Sequence, residues 1–240
     1  RFRDFYSKFS KIPRKIENTM SEIVVQKFGG TSVGTVDRID SVAEIIKNAS
    51  KSNKIVVVVS AMGGETNRLV DLAKAFGDDP DKREFDALVS TGETVSSALL
   101  TMALHSKGVK AKSFSASQIS MRTTSSYSKA KILDVDAKKI LDVVENDTIP
   151  IITGFQGVTE GGDVTTLGRG GSDTTAVAIA AQIEATRCDI FTDVDGIFTT
   201  DPGVVPNAKK LDSITMEEML ELAGQGAKVV QTRAVEFANK

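Results

Sequence analysis

The sequence predicts an α/β fold: an open, mostly parallel sheet with helices on both faces. Three observations carry this expectation. Strand-like and helix-like hydrophobic patterns alternate along the chain, which is the signature of a parallel sheet with crossover helices. Ile55 to Val59 are five consecutive β-branched residues, the pattern of a strand buried on both faces. Glycine-rich turns follow several of the strand patterns, where the ligands of such sheets bind.

The elements follow in order. Ile23 to Phe28 is a short apolar run ending in Gly29-Gly30. A helix follows, with Val36, Ile39, Val42, Ile45 and Ile46 on one face. After the Ile55–Val59 strand come helical stretches near Asn67–Phe76 and Thr94–Ser106, a strand at Ala111–Phe114 and a helix near Ala137–Asn146. Ile149 to Thr153 reads as another buried strand, and Phe155 to Thr166, with Gly161-Gly162, as a hairpin. A helix runs from about Ser172 to about Ala185, and Asp189 to Thr192 is a strand. Thr215-Met216-Glu217-Glu218 has the form of a capping box opening a helix through Leu222, and a last helix lies near Lys228–Ala238.

Composition narrows the function. The 240 residues suffice for one large or two small domains, and the 40% hydrophobic and 26% charged fractions are those of a globular protein. No uninterrupted apolar run approaches the roughly 18 residues of a membrane helix. One cysteine, Cys188, and one histidine, His105, exclude an intrachain disulfide and a His/Cys metal cage within one chain. A reducing, cytosolic setting is the expectation.

Residues 1–19 carry six basic and two acidic residues, so this stretch is net +4 within a chain of net −2. Phe2, Phe5, Phe9, Ile12 and Ile16 fall at helical spacing there. The segment is read as upstream sequence outside the fold, with a targeting remnant (hence an organellar location) or a membrane-surface helix as the alternative. The folded domain is taken as residues 20–240. Its mildly acidic character argues against nucleic acid as a partner.

Three turns after strands carry candidate chemistry. In Lys27-Phe28-Gly29-Gly30-Thr31-Ser32, bare backbone N–H groups, a helix N-terminus and a lysine could hold a phosphate, although a tight strand-to-helix turn explains the glycines equally. The lysine precedes the glycines, so this is not a P-loop. In Thr165 to Thr175, three glycines surround Arg169, whose planar fork suits a carboxylate. Ser172 there could cap the next helix. In Thr192 to Pro202, Asp193, Asp195 and Asp201 could face a ribose or a metal, but alone they read better as turn formers.

Taken together, KFGGTS, VSAMGGETN, STGE, TTLGRGGSDTT and TDVDGIFTTDP stand in the order found in aspartate kinases. From about Ile23 to Lys240 the chain resembles that family, within the amino acid kinase superfamily. The resemblance implies a three-layer α/β/α sandwich of the amino acid kinase or carbamate kinase type. It implies ATP with Mg²⁺ carried on the nucleotide, L-aspartate as acceptor, and the first step toward lysine, threonine and methionine. It also implies a homo-oligomer, a dimer.

Residue roles follow from the same resemblance. Lys27 would stabilise the moving phosphoryl group, and Asp173 would hold and orient Lys27. Gly29, Gly30, Thr31 and Ser32, with Gly170 and Gly171, would cradle the phosphates. Ser60 and Thr66 would line the acceptor side. Glu93 would meet the α-ammonium of aspartate, and Arg169, assisted by Ser172, a carboxylate. Thr192, Asp193, Phe198, Asp201 and Pro202 would border the nucleotide, with Lys228 near its phosphates. The chain departs from the family at Gly203, where Arg is common, and at Phe198, where Tyr is common. Regulatory ACT modules and the sheet's last strand are expected to lie beyond Lys240. The alternatives are another amino acid kinase, of the glutamate or acetylglutamate type, and an inactive nucleotide-binding module.

Overall fold

A computed structural model describes residues 22–193, 196–200, 204, 205, 207–215, 218 and 221. Its frame is a five-stranded parallel sheet in the order β3-β6-β2-β1-β9. The strands are β1 (Ile23–Phe28), β2 (Lys54–Val59), β3 (Ala111–Phe114), β6 (Ile149–Thr153) and β9 (Arg187–Phe191). Each of these strands was legible in the sequence to within about two residues. β2 is the middle strand, and its residues 55–59 are all buried, as the β-branched run predicts.

Alternation along the strands divides the interior into two cores. On one face Val24 and Phe28 of β1 with Ile55, Val57 and Val59 of β2 pack against α1 (Val36–Ala49) and α4 (Thr91–Ser106). On the other, Val25, Val56, Val58 and Ile152 pack against α5 (Ala137–Glu145) and α6 (Gly171–Gln182). Helix, sheet, helix is the three-layer arrangement. Thr35 caps α1 by accepting the Arg38 N–H, and Asp136 caps α5 by accepting that of Lys139. Val36, expected on the buried face of α1, is exposed because it is the first helical residue, ahead of the turn that meets the sheet.

Two features escape the periodicity argument. The first is a small mixed sheet, β5-β4-β7-β8, formed by β4 (Arg122–Thr123), β5 (Ile132–Asp134), β7 (Gln156–Val158) and β8 (Val164–Thr166). β7 and β8 are the antiparallel hairpin expected from Gly161-Gly162, whereas β4 and β5 are too short to leave a pattern. The second is α3 (Lys82–Val89), which follows α2 (Glu65–Lys74).

Ser90 closes α3 and opens α4, so Lys82–Ser106 forms one 25-residue helical stretch, apolar and long enough by composition to cross a membrane. It carries two buried carboxylates, Asp86 and Glu93, and half of its most apolar stretch lies inside the protein, which marks a core helix pair.

Near the chain's end, Thr215 and Glu218 exchange the two bonds of a capping box: Glu218 N–H to Thr215 Oγ1 at 3.2 Å and Thr215 N–H to Glu218 Oε2 at 2.9 Å. The rest of that helix and the expected helix near Lys228–Ala238 lie outside the described residues.

Candidate active site

The carboxyl ends of the parallel strands are level. Phe28 pairs with Val59 and with Phe191, and Val59 pairs with Thr153. The turns that follow are therefore stitched side by side. Gly29 N–H bonds Phe191 O at 3.1 Å, Ser60 N–H bonds Phe28 O at 3.1 Å, and Gly154 N–H bonds Val59 O at 2.9 Å. Phe28 and Phe191 add a stacked ring pair with centroids 4.5 Å apart.

Lys27 is the last residue of β1 but one, and its alternation partners send it to the α6 face. There its Nζ lies 2.7 Å from Asp173 Oδ1, in the first turn of α6. The Lys27 side chain is 9% exposed and that of Asp173 20%. Removing either partner would leave a charge in a largely desolvated slot. The amine also curls under the turn: it is 3.4 Å from where a Cβ on Gly29 would sit.

The glycines are explained by close backbone approach. A Cβ on Gly30 would lie 2.9 Å from Ala61 O, and one on Gly63 3.4 Å from Gly30 O. The turns after β1 and β2 thus touch main chain to main chain. Thr31 is exposed and Ser32 half-buried beside them, and the Thr31 carbonyl accepts from the Arg38 guanidinium.

Ser60 is half-buried at the end of β2, and its carbonyl accepts the Ser96 hydroxyl at 2.7 Å. Thr66 is half-buried in the first turn of α2. Glu93, in the first turn of α4, is buried, and its Oε1 accepts the Ala61 N–H at 3.0 Å. Its Oε2 is buried and has no hydrogen-bond partner among the described residues. Burial pushes the Glu93 carboxyl up to about 7, against the pull of the Ala61 N–H. A buried acceptor aimed at no protein donor is suited to a cationic ligand group.

The arginine turn opens α6. Gly168 and Gly170 both have positive φ, 78° and 69°, so Arg169 stands between two left-handed residues and is exposed. Its guanidinium has no ion pair among the described residues. Ser172 does not cap α6, contrary to expectation. Gly170 holds the cap position with no side-chain bond, and Ser172 lies inside the first turn. Its side chain packs on the end of β6, where a Cβ on Gly154 would come within 2.7 Å of Ser172 Oγ. Gly171 is equally crowded, by Phe155 and Leu167.

Of the remaining candidates, Thr192 and Asp193 are exposed at the end of β9, with the Thr192 hydroxyl 3.3 Å from Asp193 Oδ1. Phe198 bridges antiparallel to Lys210. Asp195, Asp201, Pro202, Gly203 and Lys228 lie outside the described residues. Among the described residues no cluster of His, Cys, Asp and Glu could hold a metal ion. His105 stands exposed in the last turn of α4 with Nε2 2.8 Å from Ala111 O, and Cys188 is a buried free thiol.

Sequence reasoning missed Asp86. It is fully buried, in the middle of α3, and makes four hydrogen bonds. Its signal was a lone charge within Phe85-Asp86-Ala87-Leu88-Val89.

The fold and site define a class: a three-layer α/β/α protein with a lysine–carboxylate pair and glycine-lined turns at the carboxyl ends of its parallel strands. The chain belongs to the amino acid kinase family, whose pattern matches residues 22–240. It is 56% identical over 219 residues to an aspartate kinase of Pseudomonas putida, a match covering 91% of this chain and 53% of that protein. It superimposes on the crystal structure of aspartate kinase from Synechocystis with a TM-score of 0.80 at 47% identity, covering 90% of this chain and 36% of that one. It also superimposes on E. coli aspartokinase III in complex with aspartate and ADP, with a TM-score of 0.83 at 33% identity, covering 91% of this chain and 60% of that one. The chain spans about half the length of the curated relatives it matches.

Proposed function

We propose that this chain is the catalytic part of an aspartate kinase, transferring the γ-phosphoryl group of MgATP to the side-chain carboxylate of L-aspartate. The observation that carries the reading is the Lys27–Asp173 pair beneath the Gly29-Gly30 turn, with the buried Glu93 oxygen in the neighbouring turn system. Similarity to aspartate kinases over nine-tenths of the chain supports the choice of acceptor.

In this mechanism the acceptor needs no general base, because an aspartate side chain has a pKa near ~3.9 and is ionised at neutral pH. A carboxylate oxygen attacks the γ-phosphorus while the bond to the β,γ-bridging oxygen breaks, and ADP leaves with that electron pair. Two anions must be brought together, so the protein's work is positioning and charge stabilisation. Lys27 supplies a full positive charge held in place by Asp173. Gly29, Gly30, Gly170 and Gly171 offer N–H groups, and Thr31 and Ser32 extend the cradle. Thr192, Asp193 and Phe198, with Asp201, Pro202 and Lys228, border the nucleotide. Glu93 takes the substrate's ammonium, Arg169 with Ser172 its carboxylate, and Ser60 and Thr66 line the pocket. Mg²⁺ enters bound to the ATP phosphates, in keeping with its preference for phosphate oxygens and water.

A homodimer in the cytosol belongs to the same reading. Val95 and Met102, exposed along α4, support the first, and the second rests on the single cysteine, which leaves no intrachain disulfide to form. The decisive experiment traps the acyl phosphate as a hydroxamate, with MgATP and a panel of acceptors. Hydroxamate from aspartate alone is expected. Product from glutamate or acetylglutamate instead would move the chain to another amino acid kinase, and nucleotide binding without product would make it an inactive module.

A further inference from the structure

We infer that Asp86, buried in α3 and remote in sequence from the glycine-rich turns, is the positioning residue that sets the acceptor-carboxylate end of the site. Its Oδ2 accepts the backbone N–H groups of Ser128 and Thr166, each at 2.8 Å. Its Oδ1 accepts the Ser128 hydroxyl at 3.0 Å and the Thr166 hydroxyl at 2.9 Å. One carboxylate thus fixes two chain segments through four bonds, in a spot with no solvent exposure.

Both segments shape the turn that carries Arg169. Thr166 ends β8, three residues before the arginine. Ser128, held at φ 64°, presents its carbonyl to Gly168: a Cβ there would sit 3.0 Å from Ser128 O. The turn is tied again by Ala130 N–H to Thr166 O at 2.9 Å and by Leu167 N–H to Phe155 O at 2.9 Å. Arg169 stands between Gly168 and Gly170, both held left-handed in a turn closed by Gly171 N–H to Gly168 O at 3.0 Å, and has no ion pair of its own among the described residues. Its direction is therefore inherited from the anchored stretch before it.

The other end of the link is Glu93. α3 joins α4 at Ser90, and the Ser90 carbonyl accepts Gln156 Nε2 at 2.5 Å. A rigid helix pair thus carries Asp86 at one point and Glu93 at another. The spacing between the group that takes a substrate ammonium and the group that takes its carboxylate is set by this frame. The inference rests on the acceptor reading given above.

The test is a split of steady-state constants in the full chain. Asp86→Asn keeps the shape and removes the charge: its oxygen can still accept the two backbone N–H groups, but the bonds lose their charge assistance and its amide NH₂ forces the Ser128 and Thr166 hydroxyls to turn from donors into acceptors. The KM for aspartate is expected to rise at least about tenfold, with the KM for ATP within about twofold, the scale of one lost charge-assisted bond. In an Arg169→Ala background the same substitution is expected to add little, because the residue it aims is gone. Thr166→Val should follow Asp86→Asn and Thr166→Ser should keep native constants, which gives a readout if the Asn variant folds poorly. Equal rises in both KM values, or a loss of kcat alone, would reduce Asp86 to a staple of the fold. If Arg169→Ala itself leaves the aspartate KM unchanged, the acceptor reading fails. If Arg169→Ala raises it and the Asp86 and Thr166 variants do not, only the positioning role falls.

Discussion

Lys27 of β1 and Asp173 of α6 meet at 2.7 Å across the boundary between sheet and helix, directly below the Gly29-Gly30 turn. The contact joins the first strand of the fold to a helix nearly 150 positions later, so neither residue could be recognised as half of a pair from local sequence. It also fixes where a lysine's charge can act: at the level of the turns, not out in solvent.

Lys27→Ala is expected to reduce phosphoryl transfer by ~10²–10³ or more, the usual loss on removing one charge-stabilising donor. Asp173→Asn should lose a similar amount by freeing the amine. Circular dichroism and a cooperative melt should remain native in shape. Near-native turnover in Lys27→Ala would remove the lysine from the mechanism.

Arg169→Ala should raise the aspartate KM by roughly 10–100-fold, the worth of a charged hydrogen-bonded contact. The melting temperature should change little, since Arg169 is exposed. Measured KM values for both substrates decide this. A rise confined to ATP would reverse the assignment of that turn.

Glu93 is expected to make the proposed reaction sensitive to pH. Its carboxyl, pushed up to about 7 by burial, loses its charge as pH falls through that value. Without the charge it cannot hold an ammonium, so the aspartate KM is expected to climb on acidification from pH 8 to 6. Glu93→Gln should have a high KM that no longer follows pH.

Stability moves the other way. The folded pKa stands above the ordinary value of 4.5, so the native state binds the proton more tightly than the unfolded chain. The contribution from Glu93 should therefore decline as pH rises from about 4.5 to about 7 in the ligand-free protein. Aspartate added at pH 8 should restore it. Melts across this range, with and without aspartate, test the sign.

Gly30→Ala should weaken nucleotide binding and lower the melting temperature. The new methyl would sit 2.9 Å from the Ala61 carbonyl, a backbone atom that cannot swing aside. Overpacking of this kind costs about 1–3 kcal/mol. Gly64→Ala is the control for space alone, because nothing stands within 4 Å of its Cβ position, although its φ of 81° adds strain of its own. An unchanged nucleotide Kd in Gly30→Ala would show that the two turns can part.

The parallel sheet was legible because its strands carry continuous apolar runs, which a chain buried on both faces must have. The lysine turn and the arginine turn were legible as glycine clusters after strands. What escaped was whatever depends on long-range partners. β4 has two residues and β5 three, too few for a period. α3 is short, and its central Asp86 interrupts the apolar run by which a buried helix is recognised. Ser172 looked like a cap because it stands near a helix start, but the left-handed Gly170 took that position and freed the serine to pack on β6. Glu93 was assigned through family likeness. Its burial and its unpartnered oxygen come from the fold around Ala61 and could not be read from STGE alone.

The contact between the turns after β1 and β2, glycine against carbonyl, has a consequence for how such a protein can diversify. Gly30 cannot accept a bulkier residue unless the Ala61 carbonyl retreats, so the proposed phosphate end is nearly closed to single-step innovation at that position. The proposed acceptor end draws on individual side chains standing on separate elements. If the proposed activity holds, efforts to redirect it toward a longer or amidated substrate should leave Gly30 alone and begin at positions 60, 66, 93 and 169.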